Sequence, residues 1–220
     1  MAPLKLLVLG ATGPTGKLVV QRAVEFGWIV TVYGRRTLPE HAADQNIKAL
    51  EGALDDPTAL RTAIHGQDTI ISVFGPSNPL ASIDVFVPAY RFILNIMKDE
   101  GVKRIIALST FSVYDPKDKP SITRWLLVTM LWAMVHKVWR TIIDVAAVFD
   151  TDGADLDWTL FRVGFLGNGP RSQVVEGYIG DGSLGMYLRR ADIAEWCVKE
   201  AGRSEPRFIR EKPGICSKTG

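Results

Sequence analysis

The chain of 220 residues is poor in cysteine and histidine: it has Cys197 and Cys216, and His41, His65 and His136. The two thiols form neither a CxxC motif nor a disulfide framework, which points to a reducing compartment and a cytoplasmic location. The histidines stand apart, without metal-ligand spacing, so no metal site is expected. Neither sign of charge is in excess, with 26 Lys and Arg against 24 Asp and Glu and a net charge of +2. Such a balance, with no basic stripe interleaved with aromatics, argues against a nucleic-acid partner. The uncharged run Trp125–His136 is 12 residues, short of the roughly 20 that a spanning helix needs. Met1–Leu9 carries one lysine and an apolar stretch too short for a secretory signal. With 47% hydrophobic and 23% charged residues the composition is that of a globular protein, and the length suits a single domain over 1–220.

What the sequence does have is an alternation of strand-like and helix-like segments. Leu4–Leu9 is short, apolar and followed by glycine, the mark of a strand buried on both faces. Leu18, Val19, Arg22, Ala23 and Phe26 follow at helical spacing, and Trp28–Tyr33 is a second β-branched run. Further strands are expected at Ile47–Leu50, Thr69–Phe74, Lys103–Leu108 and Trp158–Val163, with an edge strand at Phe208–Ile209. Helices are expected at Pro57–Ile64, Val85–Met97, Ala191–Ala201 and, as one long element, Ser121–Phe149. This order gives the α/β class: a Rossmann-like doubly wound parallel sheet with helices on both faces.

The chemistry is concentrated in the first turn. Gly10-Ala-Thr12-Gly13-Pro14-Thr15-Gly16 joins the first strand to the first helix with GxxGxxG spacing. Glycines there permit a tight turn, close backbone approach to a pyrophosphate and close helix–strand packing. The unbonded amides of the helix start then face the phosphates. Strand, glycine turn, helix and second strand lie in one continuous unit, the context that makes such a motif informative. After the second strand stands Gly34-Arg35-Arg36, where an NAD-preferring protein carries an acid for the ribose 2′-hydroxyl. Two guanidiniums are suited to a 2′-phosphate instead, so the expected cofactor is NADP(H).

These segments resemble the atypical short-chain dehydrogenase/reductase group with an NAD(P)H-binding domain, which includes biliverdin reductase B-like flavin reductases and NmrA-like proteins. The likeness continues in Gly66-Gln-Asp68-Thr-Ile-Ile-Ser-Val-Phe-Gly75, Gly101–Thr110, Leu156–Gly164 and Arg190-Ala-Asp192-Ile-Ala194. It implies a small C-terminal substrate lobe, built mainly from about 111–150 and 165–190, and that Thr12, Pro14 and Thr15 lie along the phosphates. It places Phe74, Gly75 and Pro76 beside the nicotinamide-side ribose. Ser109 and Thr110, with Val163, Gly164 and Phe165, would border the nicotinamide. Ala53 and Leu54 would lie at the adenine, with Ala53 standing where the group often has an acid.

The catalytic end departs from the common short-chain pattern of a Tyr with a Lys four residues later. Tyr114 is followed at that distance by Asp118, and Lys137 is preceded by Ala133. Ser109, Thr110 and Tyr114 are the candidate catalytic hydroxyls. Reducing an isolated ketone builds a basic alkoxide that needs a positioned donor, whereas a conjugated acceptor spreads the charge. The expected function is therefore an NADPH-dependent reductase of an apolar, conjugated small molecule. Two other readings are an NmrA-like NADP(H)-binding regulator without catalysis, and a non-redox isomerase or cyclase that retains the cofactor.

Trp125, Trp132 and Trp139 recur every seven residues on the expected long helix, and Leu127, Leu131, Met134 and Val138 form a second stripe. A helix apolar nearly all round must be covered on more than one side. The roles weighed for the second stripe are a pocket wall for an apolar substrate, a homodimer contact through the tryptophan row, plain core, and a membrane surface. Gly177–Gly185 reads as a mobile flap or a surface turn, Asp192 as a residue that caps or orients its helix, Cys197 as core, and the tail after Pro213 as frayed.

Overall fold

The computed structural model of the chain describes residues 3–42, 44–75 and 83–218. The first strand, β1 (Lys5–Leu9), leads through the glycine turn into α1 (Pro14–Glu25) and then β2 (Ile29–Gly34). A short helix α2 (Pro39–Ala42), β3 (Ile47–Glu51), α3 (Pro57–Ile64) and β4 (Thr69–Ser72) follow. Next come α4 (Phe86–Asp99), β5 (Arg104–Thr110), α5 (Ile122–Met134), α6 (His136–Asp152) and β6 (Asp157–Val163). The chain continues with β7 (Phe165–Gly167), β8 (Val174–Gly177), β9 (Tyr187–Arg189), α7 (Arg190–Ala201) and β10 (Gly214–Ser217).

The main sheet has the order β3-β2-β1-β4-β5-β6-β10-β8. It is parallel from β3 to β10, and β8 closes the edge antiparallel to β10. The chain starts at β1, winds to one edge and returns to wind toward the other. The reversal leaves a crevice beyond the carboxyl ends of β1 and β4, where ligands of open α/β sheets bind. Alternate side chains of β1 enter opposite cores. Leu7 and Leu9 pack with α3, α4 and α6, whereas Leu6 and Val8 pack with α1 and α7. Two buried faces explain why the strands read as unbroken apolar runs.

Three expectations are corrected and a fourth is narrowed. The single helix over Ser121–Phe149 is two helices, α5 and α6, bent by 117° at Val135. Val145, Ala146, Val148 and Phe149 draw α6 onto the sheet, whereas no residue of α5 is buried. The tail does not fray after Pro213, because β10 is a buried strand inserted between β6 and β8. Phe208–Ile209 forms no strand; the Phe208 carbonyl instead accepts the Thr159 hydroxyl at 2.6 Å. Of the two roles expected of Asp192, it orients α7 and does not cap it, since the N-cap is Arg189. It is fully buried and accepts from the amide and hydroxyl of Ser172 and from the Ser217 hydroxyl, tying three segments together.

The expected lobe over 165–190 is divided. β7 and β9 form a small separate parallel pair, while β8 joins the main sheet. The glycine-rich stretch Gly177–Gly185 is tied down: Ile179 is buried, its amide donates to Asp118, and its carbonyl accepts from Lys119 N at 2.8 Å. Among the described residues, no single helix is long and apolar enough to cross a membrane.

Candidate functional site

The turn between β1 and α1 is shaped by two glycines in different ways. Gly10 has φ +87°, and a Cβ there would stand 2.7 Å from the Phe74 amide nitrogen, so the loops after β1 and β4 touch backbone to backbone. At Gly16 a Cβ would stand 2.1 Å from the Gly10 carbonyl oxygen, so the helix starts directly against the turn. Gly13 differs. It is the N-cap of α1, and the nearest atom to a Cβ there is the Gly10 carbonyl oxygen at 3.4 Å.

No side chain caps α1, and its first turn carries no acid. Pro14 at the helix start has no amide to satisfy, while the amides of Thr15 and Gly16 lie in the first turn, where α-helical amides have no intrahelical acceptor. Thr15 and Gly16 are buried, and Thr12 and Pro14 are exposed beside them. Donors at an uncapped helix start, with room above Gly13, fit an anionic diphosphate.

At the end of β2, Arg35 and Arg36 are exposed and form no ion pair among the described residues. The nearby acids are engaged: Glu40 pairs with Lys17 at 3.0 Å, and Glu51 accepts from the amide and hydroxyl of Thr37. Two guanidiniums that neither carboxylate holds fit a phosphate. Ala53 and Leu54 are half-buried, and the Ala53 carbonyl accepts the Tyr33 hydroxyl at 2.7 Å. Burial, reinforced by Asp56 and Asp55, pushes that phenol up to about 12, so it stays a donor.

Phe74 directs its ring into the core, stacking on Phe86 and Tyr90 with centroids 5.5 and 4.9 Å apart. Its backbone is what faces Gly10. Gly75 is exposed, and Pro76 lies outside the described residues. Ser109 and Thr110 end β5 opposite Arg162 and Val163 of β6, so these four residues share one end of the sheet. Ser109 is buried, and the Thr110 hydroxyl accepts the Ser112 amide at 3.3 Å. A Cβ on Gly164 would stand 2.3 Å from the Met186 carbonyl oxygen, which accepts the Phe165 amide. Phe165 itself is exposed.

A residue missed in the sequence holds the loop after β5. Arg162, near the end of β6, is fully buried and grips Asp118 through two hydrogen bonds of 2.6 and 2.7 Å. It also donates to the Val113 carbonyl at 2.8 Å. Burial alone would raise the Asp118 carboxyl, but the Arg162 guanidinium outweighs it and holds the group below its ordinary range. The charge within Trp158–Val163 was the available signal, since a buried cation requires a partner.

Arg124 adds a second clamp on this loop, with Nε donating to the Phe111 carbonyl at 2.9 Å and a terminal nitrogen to that of Ser112. Between this loop and α5 opens a cleft of about 580 Å³, whose walls include Tyr114, Arg124, Trp125 and Val128. Tyr114 reaches it from an exposed position. The bend at Val135 separates Trp125 and Trp132 on α5 from Trp139 on α6, so the tryptophans do not form one row.

Comparison with known proteins gives the family and the fold. The family described as NAD(P)H-binding matches residues 10–203. Among solved structures, a short-chain dehydrogenase/reductase of Veillonella parvula in complex with NADP superposes with a TM-score of 0.78 at 15% identity, over 98% of this chain and 95% of that one. The anaerobilin reductase ChuY of Escherichia coli O157:H7 gives 0.76 at 18% identity, over 98% and 100%. A Burkholderia pseudomallei protein classed as exported gives 0.76 at 26% identity, over 97% and 99%. At identities this low the two enzymes establish the shared fold.

Proposed function

Because this chain belongs to the NAD(P)H-binding family, we propose that it is an NADPH-dependent reductase of an apolar, conjugated small molecule. The observation that carries the binding half is the uncapped start of α1, where Gly13 leaves space that a side chain would fill. In this reading the amides of Thr15 and Gly16 hold the diphosphate, with Gly10, Thr12 and Pro14 shaping the turn around it. Arg35 and Arg36 bind the 2′-phosphate, which is why NADPH is preferred. Ala53 and Leu54 flank the adenine. The loop of Phe74, Gly75 and Pro76, through its backbone, flanks the second ribose. Ser109, Thr110, Val163, Gly164 and Phe165 border the reacting ring. When bound, the cofactor supplies the hydride.

The reacting half rests on what surrounds Tyr114. Asp118, where a lysine would lower the phenol's pKa, is committed to Arg162. The usual Tyr–Lys dyad is therefore absent, which suits an acceptor that delocalises its charge better than an isolated ketone. The cleft beside Tyr114 has apolar walls in Trp125 and Val128, which suits a bulky apolar substrate. ChuY, which shares the fold, is a reductase of anaerobilin.

The test is NADPH consumption, followed by absorbance, with flavins, quinones and enones as acceptors. Protein-dependent oxidation with at least one class is expected. NADPH binding without turnover across the panel would favour a regulator, and turnover of a substrate with unchanged NADPH absorbance would favour an isomerase or cyclase.

A further inference from the structure

We propose that α5 is a membrane-contacting element, lying flat on an anionic lipid surface. This thirteen-residue helix has no buried residue, although ten of its residues are apolar. Ile122, Trp125, Leu126, Met130, Trp132 and Met134 are all large, apolar and exposed, Ile122 by 79% and Met134 by 73%. At 3.6 residues per turn the exposed positions sweep about 200° of the helix circumference. That arc holds no charge: its polar members are Thr123 and Thr129, and Arg124, the one charged residue of α5, points inward to the Phe111 and Ser112 carbonyls.

The breadth of the arc and its flanking charges select the occupant. A helix packing on protein covers an apolar stripe a little over 100° wide, about half of this arc. A lipid interface wets the whole convex side, and at about 20 Å α5 is long enough to lie along it and too short to cross. Tryptophans such as Trp125 and Trp132 favour that interface. Lys119 precedes the helix, Lys137 and Arg140 follow its end, and no acid occurs between residues 119 and 143. Asp118 is turned inward onto Arg162. Lys137 and Arg140 pair with Asp84 and Asp144, but both pairs are solvent-exposed and therefore weak, leaving the cations available to headgroups. Ile122, Trp125 and Thr129 also line the cleft beside Tyr114, so its mouth opens at the docked face.

The experiment is flotation of the full chain with phosphatidylcholine vesicles, with and without phosphatidylserine. Binding is expected with the anionic vesicles, accompanied by a blue shift of tryptophan emission. Leu126→Glu combined with Met130→Glu, at exposed positions outside the cleft, should reduce that binding at least about tenfold. The thermal midpoint should stay unchanged, which shows that the variant is folded. No flotation, equal flotation with neutral vesicles, or unaltered flotation of a folded variant would overturn the proposal. So would a concentration-dependent dimer, abolished by the same substitutions, in a protein that binds no vesicles.

Discussion

Two alanine substitutions, three residues apart, should separate the fold role of the glycine turn from its ligand role. A methyl at Gly16 would stand 2.1 Å from the Gly10 carbonyl oxygen and 2.7 Å from the Ala11 Cα. Both are backbone atoms, so α1 must move off the turn. Overpacking of this kind costs about 1–3 kcal/mol, or roughly 2–12 °C in melting temperature for a chain of this size. A methyl at Gly13 meets only the Gly10 carbonyl oxygen, at 3.4 Å, and the φ of −75° and ψ of 164° are open to alanine. Its stability cost should stay within about 1 kcal/mol, the scale of an N-cap change. The methyl would nevertheless obstruct the diphosphate. Loss of one charge-assisted hydrogen bond, about 1.5–3 kcal/mol, corresponds to roughly 10- to 100-fold weaker NADPH binding. Urea denaturation and titration calorimetry on the two variants measure the two effects. A folded Gly13→Ala protein that binds NADPH like the unaltered chain would overturn the ligand role of Gly13, and a Gly16→Ala protein of unchanged stability the packing role of Gly16.

Three further outcomes follow from the same geometry. Arg35→Ala with Arg36→Ala should weaken NADPH much more than NADH, since only NADPH carries the 2′-phosphate; equal losses in fluorescence titrations of both would defeat that assignment. Arg162→Met leaves the Asp118 carboxylate buried without its partner and should cost about 3–5 kcal/mol in denaturant unfolding; a loss below 1 kcal/mol would show the pair to be dispensable. The folded Asp118 carboxyl titrates below its unfolded value of about 3.9. Its contribution is therefore complete above pH 4 and lost as pH falls through the lower folded value. Urea midpoints between pH 6 and 2 should fall less steeply in Arg162→Met than in the unaltered chain, and parallel profiles would contradict the linkage.

The parts of the fold legible in the sequence are those whose signal is local. β1, β2, β5 and β6 send apolar side chains into both cores, so each stands out as a mainly apolar run, and the glycine turn is marked by residue types that few other structures require. The parts that were not legible depend on distant partners. Gly214–Ser217 has four residues and no alternation, and becomes a strand because β6 and β8 supply edges on either side. The break at Val135 carries neither glycine nor proline. It exists because α6 packs on the sheet, through Val145 and Phe149, and α5 does not. The same distinction holds at the site. Gly10, Gly13 and Gly16 announce themselves by spacing, but that Phe74 turns its ring away from the crevice is decided by Phe86 and Tyr90. Asp118 gave no local sign of its partner, which lies 44 residues further along the chain.

The central claim is that main-chain amides at the start of α1 hold the diphosphate of a pyridine nucleotide. Titration calorimetry of the purified chain with NADPH and NADH tests it most directly. One NADPH should bind per chain, saturably and more tightly than NADH. An absence of heat from both nucleotides at millimolar concentration would contradict it.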